Sequence, residues 1–346
     1  MKKILIAMSG GVDSSAVAAM LLDQGYEVAG ATMQLWHKGD YFEGDAHDPV
    51  PAARKAAKEL GIPHIVFDFS KEFRHHVVDP FMQAYQQGLT PNPCVFCNKA
   101  LKFGAFFQKA MELGYDGIAT GHYARIVTDE DGIHHLHMAD SAKDQSYVLY
   151  QMNQEVLSRL LLPLYGVDKE EVRRYAAKAG ISASDTPDSQ EICFIPDKNY
   201  PAFLSQMGIT SPAGEFVDRQ GEVMGPHKGI LHYTVGQRKG LGAFGSPKYV
   251  LRLEPQTNRI VLGENEDLFS SLLTCRDVTF LSGEPLTESI RAQVKIRYTA
   301  RPAPAVLIPC QTGIRVEFDE PQRAATPGQS AVFYNGNELL GGGIIC

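Results

Sequence analysis

The sequence predicts an α/β protein, with a doubly wound parallel sheet in its N-terminal part followed by β-rich modules. In the first half of the chain, short apolar runs alternate with stretches of helical periodicity, as in parallel sheets. Beyond Gly208 the apolar runs are separated by Gly and Pro, which is typical of small antiparallel structures. Since 346 residues suffice for two or three domains, we predict domains over 1–207, 208–273 and 274–346.

The elements of the N-terminal domain follow from the same patterns. Buried strands are predicted over 3–8, 28–35, 64–69 and 117–120, and helices over 13–24, 51–60, 71–87 and 99–113. A hairpin over 124–138 is expected to turn at Asp131-Gly132, and helical patterns resume over 145–179. The segment 36–48 is rich in Gly and Asp and has no periodicity, which predicts a mobile surface loop.

The C-terminal part is predicted to contain a small β-rich central domain and then an antiparallel β-barrel. In the central domain, β-type runs occur over 229–235, 249–253 and 259–262. In the barrel they occur over 291–298, 305–308, 313–318 and 330–334. Each run is short and is bounded by turn-forming residues, as in sandwiches and barrels.

Composition excludes several classes of protein. An apolar content of 44% and a charged content of 21% are ordinary for a globular chain, so a mainly disordered protein is excluded. No apolar run approaches the roughly 18–20 residues of a membrane span, and the apolar stretch after Met1 is too short for a signal peptide. We therefore expect a cytoplasmic protein with no membrane partner, whose six cysteines do not form a disulfide framework.

The formal net charge of −7 excludes a chain-wide basic surface for nucleic acid. It does not exclude local basic stretches. Six lysines and arginines face one acid between Gly225 and Ile260, and five face none between Arg291 and Arg315. Such stretches can bind phosphates without sequence preference, so we expect salt-sensitive nucleic-acid binding by the two C-terminal modules.

A phosphate cradle is predicted at Ser9-Gly10-Gly11-Val12-Asp13-Ser14-Ser15, between the first strand and the first helix. The glycine pair lets the backbone approach a phosphate, and the helix N-terminus presents free N–H groups and a partial positive charge. The three serines add hydroxyl donors. The segment lacks the Gly-Lys-Ser/Thr end of a Walker A loop and the glycine pattern of dinucleotide folds. The alternative is a plain turn in which Asp13 or Ser14 caps the helix.

Cys94, Cys97 and Cys193 are the cysteines to which we assign chemistry. Cys97 precedes a predicted helix, where the helix dipole and Lys99 are expected to lower its pKa. Zinc would need two further ligands near the Cys-x-x-Cys pair, and no second pair exists. A thiol relay, an iron–sulfur cluster with one open iron, and unrelated buried thiols all stay open. The remaining cysteines stand singly and are expected to be buried apolar side chains: Cys275, Cys310 and Cys346.

These motifs resemble a known family. The SGGVDS string at 9–14 is similar to the PP-loop of ATP pyrophosphatases, which split ATP between the α and β phosphates and adenylate a carbonyl oxygen. PNPCVFCNK at 91–99, with ICFIP at 192–196, resembles the tRNA-specific 2-thiouridylase family MnmA (TrmU). Further matching strings run along the chain: TGHYAR at 120–125, KDQSY at 143–147, HYTVGQRKG at 232–240, KIRY at 295–298 and PGQ at 327–329.

The resemblance implies a PP-loop, Rossmann-like catalytic domain and a sulfurtransferase activity. ATP, with Mg²⁺, would adenylate O2 of the wobble uridine at tRNA position 34. Cys193 would deliver sulfur to C2 from a persulfide, and Cys97 would act as the partner nucleophile and close a transient Cys97–Cys193 disulfide. The products would be 2-thiouridine, AMP and pyrophosphate. The implied ATP-binding residues are Ala7, Met8, Ser9, Gly10, Gly11, Val12, Asp13, Ser14, Met33 and Gly121.

The resemblance also implies the partners. These are tRNAs with a wobble uridine, namely the lysine, glutamate and glutamine acceptors, and a cysteine desulfurase or sulfur-relay protein as sulfur donor. A tRNA-binding role for the C-terminal barrel follows. The implied tRNA-binding residues are Asn92, Pro93, Cys94, His122, Lys143, Asp144, Gln145, Arg297, Tyr298 and Gln329.

One departure from the family pattern leaves two versions of the mechanism open. Many members carry Asp where this chain has Cys94, and a thiol cannot fill an acid–base role in the same way. We favour a cluster-free persulfide relay and keep as the alternative an iron–sulfur cluster held by Cys94, Cys97 and Cys193. Two other classes remain: an amide-forming PP-loop synthetase, and an RNA-binding or sulfur-carrier module with a vestigial nucleotide loop.

Overall fold

The computed structural model describes residues 1–41, 48–141, 143–182 and 192–346. The strands of the N-terminal part are β1 (Lys3–Ala7), β2 (Glu27–Gln34), β3 (His64–Asp68), β4 (Gly117–Ala119), β5 (Ala124–Thr128), β6 (His134–Met138) and β7 (Leu160–Leu161). Five of them form one parallel sheet in the order β3-β2-β1-β4-β7. The order reverses direction at β1, and ligands of such sheets bind where the strand order reverses.

Helices cover this sheet and follow the predicted pattern with shifted ends. They are α1 (Val12–Asp23), α2 (Pro49–Glu59), α3 (Ser70–Phe73), α4 (Asp79–Gln86), α5 (Pro93–Cys97), α6 (Phe106–Glu112), α7 (Gln154–Leu157), α8 (Lys169–Lys178) and α9 (Tyr200–Gln206). Two π-helical segments, Arg74–Val78 and Asn98–Ala105, join α3 to α4 and α5 to α6. π-Helical segments are frequent at functional sites, and the second one follows Cys97 directly.

The helix that the sequence predicts to begin at residue 99 begins at Pro93 instead. Asn92 is its N-cap, and its side chain accepts a hydrogen bond from the Cys94 N–H at 3.1 Å. Proline is favoured in the first turn, because its missing N–H has no partner there in any case. Cys97 therefore lies inside a helix and not before one.

Two other stretches differ from the prediction. The segment 145–179 is not one helical region, because it contains the 3₁₀ turn Ser146–Val148, α7, the edge strand β7 and α8. The two-residue strand β7 owes its conformation to pairing with β4 and not to any local pattern. The segment 229–235 contains the 3₁₀ turn Ile230–His232 in place of a strand.

The central and C-terminal parts are β-structured, and with the parallel sheet they confirm the predicted fold class. Their strands are β8 (Gly214–Val217), β9 (Val223–His227), β10 (Tyr249–Glu254), β11 (Arg259–Gly263), β12 (Phe269–Phe280), β13 (Ile290–Lys295), β14 (Ala303–Cys310), β15 (Gly313–Arg323), β16 (Ser330–Asn335) and β17 (Glu338–Ile345). The central sheet has the order β10-β11-β8-β9. Pairing of β12 with β17 closes the last six strands into a barrel. The exact limits of the three domains stay a prediction.

The N-terminal part and the barrel share one sheet. The β5–β6 hairpin, predicted over 124–138, is confirmed, and β6 pairs with β17 of the barrel. Next to it, the Tyr147 hydroxyl donates to the Ser330 carbonyl at 2.8 Å, and the Ser146 and Tyr334 hydroxyls lie 3.1 Å apart. Because these groups are buried, the segment after residue 143 is held firmly against the barrel.

Candidate active site

The predicted phosphate cradle lies at the carboxyl end of β1 and opens α1. Gly10 has a φ of +76°, and a Cβ there would lie 2.6 Å from the Ala52 Cβ. Gly10 is thus required for its backbone angle and for packing against α2. Gly11 is the more open glycine, since a Cβ there would meet Ser9 Oγ at 3.4 Å. No described side chain caps α1 at Gly11, so the N–H groups of its first turn remain available to an anion in the cradle.

The serine hydroxyls of the cradle serve the loop itself. Ser14 Oγ and Ser15 Oγ donate to the Gly11 carbonyl at 3.2 and 3.0 Å, and the Ser9 N–H donates to Ser14 Oγ at 3.2 Å. Both Ser14 and Ser15 are buried. In this conformation the Ser14 and Ser15 protons therefore bind the turn, and the expected donation of all three serine hydroxyls to a phosphate stays a prediction.

Asp13 is the charged centre of the cradle. Its Oδ1 accepts a hydrogen bond from the Tyr123 hydroxyl at 2.9 Å and pairs with Lys169 Nζ at 2.6 Å. A Cβ at Gly121 would lie 3.0 Å from the Asp13 Cβ, so glycine allows the segment after β4 to approach the loop. Tyr123 and Lys169 were not among the residues predicted from the sequence, because both reach Asp13 only through tertiary packing.

The other implied ATP-binding residues surround this edge of the sheet. Met8 is buried, and a Cβ at Gly30 would lie 2.3 Å from its sulfur, so Met8 packs its side chain between strands. Thr32 Oγ1 donates to the Met8 carbonyl at 2.9 Å and ties the loop to β2. The nucleotide roles of the whole set stay predictions. Its remaining members lie at the ends of β1 and β2 and at the start of α1: Ala7, Met33 and Val12.

The structure brings the three chemically assigned cysteines into one neighbourhood. Burial raises the pKa of the Cys193 thiol, and the charges of Cys97 and Cys94 raise it further, so the three groups lie close enough to interact. All three are free thiols. Cys97 is buried, whereas Cys94 and Cys193 are exposed, so the desolvation that raises the pKa of the latter two comes from the protein atoms packed around them and not from full enclosure. Cys193 is separated from Cys97 by 96 residues in sequence, so this proximity is a product of the fold.

The expected lowering of the Cys97 pKa is wrong. Burial raises that pKa to about 11, against an opposing contribution from Lys102. Cys97 is the last residue of α5 and the helix continues beyond it, so the positive end of the helix lies at Pro93. The cation that acts on the thiols is Lys102 and not the expected Lys99.

No metal site is formed by these thiols in the described part of the chain. There, no three His, Cys, Asp or Glu side chains converge in a way that could hold a metal ion. The three cysteines thus do not fit a metal centre in this conformation.

Alkylation of Cys97 by iodoacetamide is expected to be slow at neutral pH and to rise roughly tenfold per pH unit towards about pH 11, because only the thiolate reacts. The rate should increase with pH because the raised pKa of Cys97 leaves little thiolate at neutral pH. Mass spectrometry of the Cys97 peptide measures the rate. Lys102→Met should slow the reaction, and Lys99→Met serves as control. A profile that levels off near pH 8 would contradict the assignment.

An aromatic cluster supports Cys193 from the next position in the chain, Phe194. The rings that surround Phe194 come from α3, α4, α9 and the residue Tyr41, so they anchor the cysteine segment to several elements at once. Three of them pack edge-on against Phe194, with distances between ring centroids of 5.5 Å to Phe73, 5.3 Å to Phe81 and 5.3 Å to Phe203. The Tyr41 ring lies 6.4 Å away.

The same cluster corrects part of the prediction for the segment 36–48. Trp36 and Tyr41 are only 7% and 3% exposed, and both rings pack against Phe73, at 5.7 and 6.3 Å between centroids. This part of the segment is therefore not a mobile surface loop, because its aromatic side chains belong to the core. Residues 42–47, which complete the predicted loop, lie outside the described residues.

His122 is buried, and its two ring nitrogens have different neighbours. Nδ1 lies 2.7 Å from Thr120 Oγ1, and Nε2 lies 3.4 Å from Lys102 Nζ. Burial, together with the charge of Lys102, holds the pKa of His122 well below its usual range. A neutral ring that accepts from Lys102 at Nε2 donates its Nδ1 proton to Thr120. The implied contact of His122 with tRNA stays a prediction.

Implied tRNA-binding residues from distant parts of the chain meet beside the cysteines. The Tyr298 hydroxyl donates to the Asp144 carbonyl at 3.1 Å, and Lys295 Nζ lies 3.8 Å from Asp144 Oδ2. Gln145 follows Asp144 directly, and Lys143 precedes it. The pKa of Tyr298 is raised by burial and by the charges of Asp144 and Cys94, which places the ring near Cys94.

A second junction ties the barrel to the segment before the cysteines. Gln329 Nε2 donates to the Thr90 carbonyl at 2.8 Å, and the Thr90 N–H donates to the Pro327 carbonyl at 2.9 Å. Arg297 is turned towards the barrel, where it donates to the Arg323 carbonyl at 2.6 Å. The structure thus brings the C-terminal residues to the cysteine segment. The implied residues that begin α5 directly after this junction are Asn92 and Pro93.

Part of the positive charge of the two basic stretches is compensated by ion pairs. Lys248 pairs with Glu264 at 2.5 Å, and Arg291 pairs with Asp319 at 2.6 Å. The acids in these pairs lie outside the counted windows, so tertiary packing supplies them. Salt-sensitive binding by these modules stays a prediction.

The remaining cysteines only partly match their prediction. Cys275 is buried, as expected, whereas Cys310 and Cys346 are exposed. Cys310 ends β14 at a hairpin, and Cys346 directly follows β17. Within the described residues, no helix combines the length and apolar character that a membrane span requires.

Comparison with known proteins shows the family of this chain. The family model described as the tRNA methyl transferase HUP domain matches residues 2–197, its PRC-barrel domain matches 201–264, and the aminomethyltransferase beta-barrel domain matches 270–345. The tRNA-specific 2-thiouridylase MnmA of Carboxydothermus hydrogenoformans is 49% identical over 99% of this chain and 97% of its own. The chain belongs to the MnmA family.

A second MnmA relative, from Clostridioides difficile, is 46% identical over 99% of this chain and 98% of its own. Among solved structures, a 4-thiouridine synthetase in complex with RNA and ATP is 18% identical and covers 60% of this chain and 50% of that chain, with a TM-score of 0.38. Membership of the MnmA family rests on the full-length relatives.

Proposed function

We propose that this chain is a tRNA 2-thiouridylase that uses ATP to replace O2 of the wobble uridine with sulfur. The observation that carries the proposal is the convergence of Cys97 and Cys193 from distant segments in a chain that belongs to the MnmA family. The cradle at the end of β1 is the place for the triphosphate of ATP. The Asp13 carboxylate is an oxygen ligand of the kind that Mg²⁺ prefers.

The proposed first step is adenylation. O2 of uridine 34 attacks the α-phosphorus of ATP, the bond to the β-phosphate oxygen breaks, and pyrophosphate leaves with that electron pair. The uridine oxygen is then part of an AMP leaving group. The N–H groups at the start of α1 favour the negative charge that develops on the phosphates.

The proposed second step is sulfur transfer. The terminal sulfur of a Cys193 persulfide attacks C2, and AMP leaves with the former O2. The Cys97 thiolate then attacks the inner sulfur of Cys193, so that the persulfide bond breaks and its electron pair stays on the sulfur of 2-thiouridine. A Cys97–Cys193 disulfide forms, and a cellular dithiol reduces it with two electrons.

The raised thiol pKa values bear on this step. Because burial raises the pKa of Cys97 to about 11, its thiol is mostly protonated in the state described. The charge of Lys102 acts against that burial at Cys97. We therefore include Lys102 in the proposed site as the cation that favours the thiolate.

The proposed RNA contacts lie where the barrel meets the N-terminal part. Tyr298, Asp144 and the neighbouring Cys94 form a surface beside the buried Cys97. An aromatic ring next to a cation, here Tyr298 with Lys295 at 5.7 Å from the ring centroid, suits an unstacked RNA base. The proposed substrates are the lysine, glutamate and glutamine tRNAs, and the proposed sulfur donor is a cysteine desulfurase or relay protein.

The test is incubation of the protein with unmodified tRNA, ATP, Mg²⁺ and a persulfide-generating desulfurase. Nucleoside analysis is expected to show 2-thiouridine, with AMP and pyrophosphate formed only when tRNA is present. Absence of 2-thiouridine with all three tRNAs would overturn the proposal. An amide-forming synthetase would form AMP without thiolation, and a binding module would cleave no ATP.

Iron analysis of anaerobically purified protein separates the two versions of the mechanism. We expect full activity without iron, because the three cysteines do not converge as metal ligands in the described structure. Activity that depends on bound iron and sulfide would favour the cluster version.

A further inference from the structure

The nucleotide loop carries no lysine of its own. In a Walker A loop, a lysine within the motif reaches the β- and γ-phosphates, whereas residues 9–15 of this chain contain one acid and no base. A loop whose one charged side chain is Asp13 would repel a polyphosphate. Mg²⁺, for which the proposed function offers the Asp13 carboxylate, offsets part of that repulsion, and a basic side chain from elsewhere in the fold offsets more of it.

Lys169 is the cation that tertiary packing brings to this loop. It is the first residue of α8, which packs against α1. Its Nζ lies 2.6 Å from Asp13 Oδ1, and the side chains of Lys169 and Asp13 are 13% and 30% exposed. Burying a lysine is costly unless its ammonium group is paired, and Asp13 supplies that partner beside the cradle.

Tyr123 fixes the carboxylate that holds Lys169. Its hydroxyl donates to the same Asp13 Oδ1 at 2.9 Å, and the residue is only 1% exposed. Its backbone is bound on both sides by Gln145, whose side chain accepts from the Tyr123 N–H at 3.1 Å and whose own N–H donates to the Tyr123 carbonyl at 2.9 Å. Gln145 thus fixes the backbone of Tyr123, the Tyr123 hydroxyl orients the Asp13 carboxylate, and that carboxylate holds Lys169.

We propose that Lys169 is the polyphosphate-binding residue of this site: its ammonium group binds the β- and γ-phosphate oxygens of ATP and then the pyrophosphate product. The inference rests on the proposed function, since it assigns the cation for the same adenylation step. When the bond between the α-phosphorus and the β-phosphate oxygen breaks, the electron pair moves onto pyrophosphate, and a lysine at that position stabilises the charge. Tyr123 is a positioning residue that acts through Asp13.

The test compares ligands with and without the outer phosphates. Wild type, Lys169→Met and Lys169→Arg are titrated calorimetrically with AMP, a non-hydrolysable ATP analogue and pyrophosphate. We expect Lys169→Met to weaken binding of the analogue and of pyrophosphate by about 10–100-fold, since a charge-assisted hydrogen bond is lost. AMP binding should change less than about twofold, and Lys169→Arg should retain most of the affinity.

Lys178→Met is the matched control, because Lys178 lies at the other end of α8 and is exposed. It should leave all three affinities unchanged. If Lys169→Met does not fold, Lys169→Gln keeps a donor for Asp13 without the charge and should show the same loss.

Two results would overturn the inference. One is wild-type affinity of Lys169→Met for both the analogue and pyrophosphate. The other is an equal loss of affinity for AMP, which would show a purely structural ion pair. Failure of the wild type to bind the ATP analogue would instead contradict the proposed function, and the pyrophosphate titration would still decide the role of Lys169.

Discussion

Replacement of Cys193 with serine is expected to abolish 2-thiouridine formation, by at least about 1,000-fold, because a hydroxyl cannot carry a transferable sulfur. Cys97→Ser is expected to have a comparable effect on turnover, because the persulfide bond then has no second thiol to break it. ATP cleavage in the presence of tRNA should persist in both variants, since adenylation does not use either thiol. Nucleoside analysis and AMP release are measured on the same samples.

Cys346→Ser is the control for this experiment. Cys346 is an exposed thiol next to the last strand of the barrel, and its replacement should leave thiolation unchanged. Retention of 2-thiouridine formation by both Cys97→Ser and Cys193→Ser would contradict the relay. Loss of ATP cleavage in Cys193→Ser would show that the thiol serves nucleotide chemistry instead.

Replacement of Phe194 with alanine is expected to cost about 3–5 kcal/mol of stability, the usual range for a buried aromatic side chain. Phe194 is 1% exposed and packs against Phe73, Phe81 and Phe203. Phe194 directly follows Cys193 in the chain. The cavity left by alanine should therefore also make the position of the Cys193 thiol less fixed and lower the thiolation rate at temperatures where the protein stays folded. Urea unfolding and the thiolation assay measure the two effects.

Phe269→Ala serves as control, because Phe269 is 45% exposed and its loss should change stability by no more than about 0.5 kcal/mol. A Phe194→Ala variant with wild-type stability would refute the packing role of the cluster. Normal thiolation by a destabilised Phe194→Ala variant would show that the aromatic cluster stabilises the fold but does not position Cys193 for sulfur transfer.

The fold class was predictable because its signals are local. The apolar run of β1 and the SGGVDS string directly after it are adjacent in sequence, so their strand–loop–helix arrangement follows from neighbouring residues. The start of α5 carried a readable signal too, since Asn92 and Pro93 are favoured at helix starts. The two-residue strand β7 had no such signal, because pairing with β4 alone defines it.

The candidate site, too, has properties that the sequence predicts and properties that depend on tertiary packing. The identities of Cys97 and Cys193 could be chosen from motifs, but their pKa shifts could not. The opposing effects of burial and of Lys102 depend on what surrounds each thiol. Burial dominates at Cys97, so the direction expected from the helix dipole is reversed.

The succession of strands and helices and the phosphate cradle could be inferred from residues that lie close together in the chain, whereas the pairing of Cys97 with Cys193 was implied by the resemblance to the MnmA family. Which distant groups meet depends on packing in three dimensions: Lys169 with Asp13, Tyr298 with Asp144, and Cys193 with Cys97. The physical reason is that charge, burial and hydrogen bonding act through space, over a few ångströms. Residues far apart in the chain become neighbours only when the sheet and the barrel have packed together.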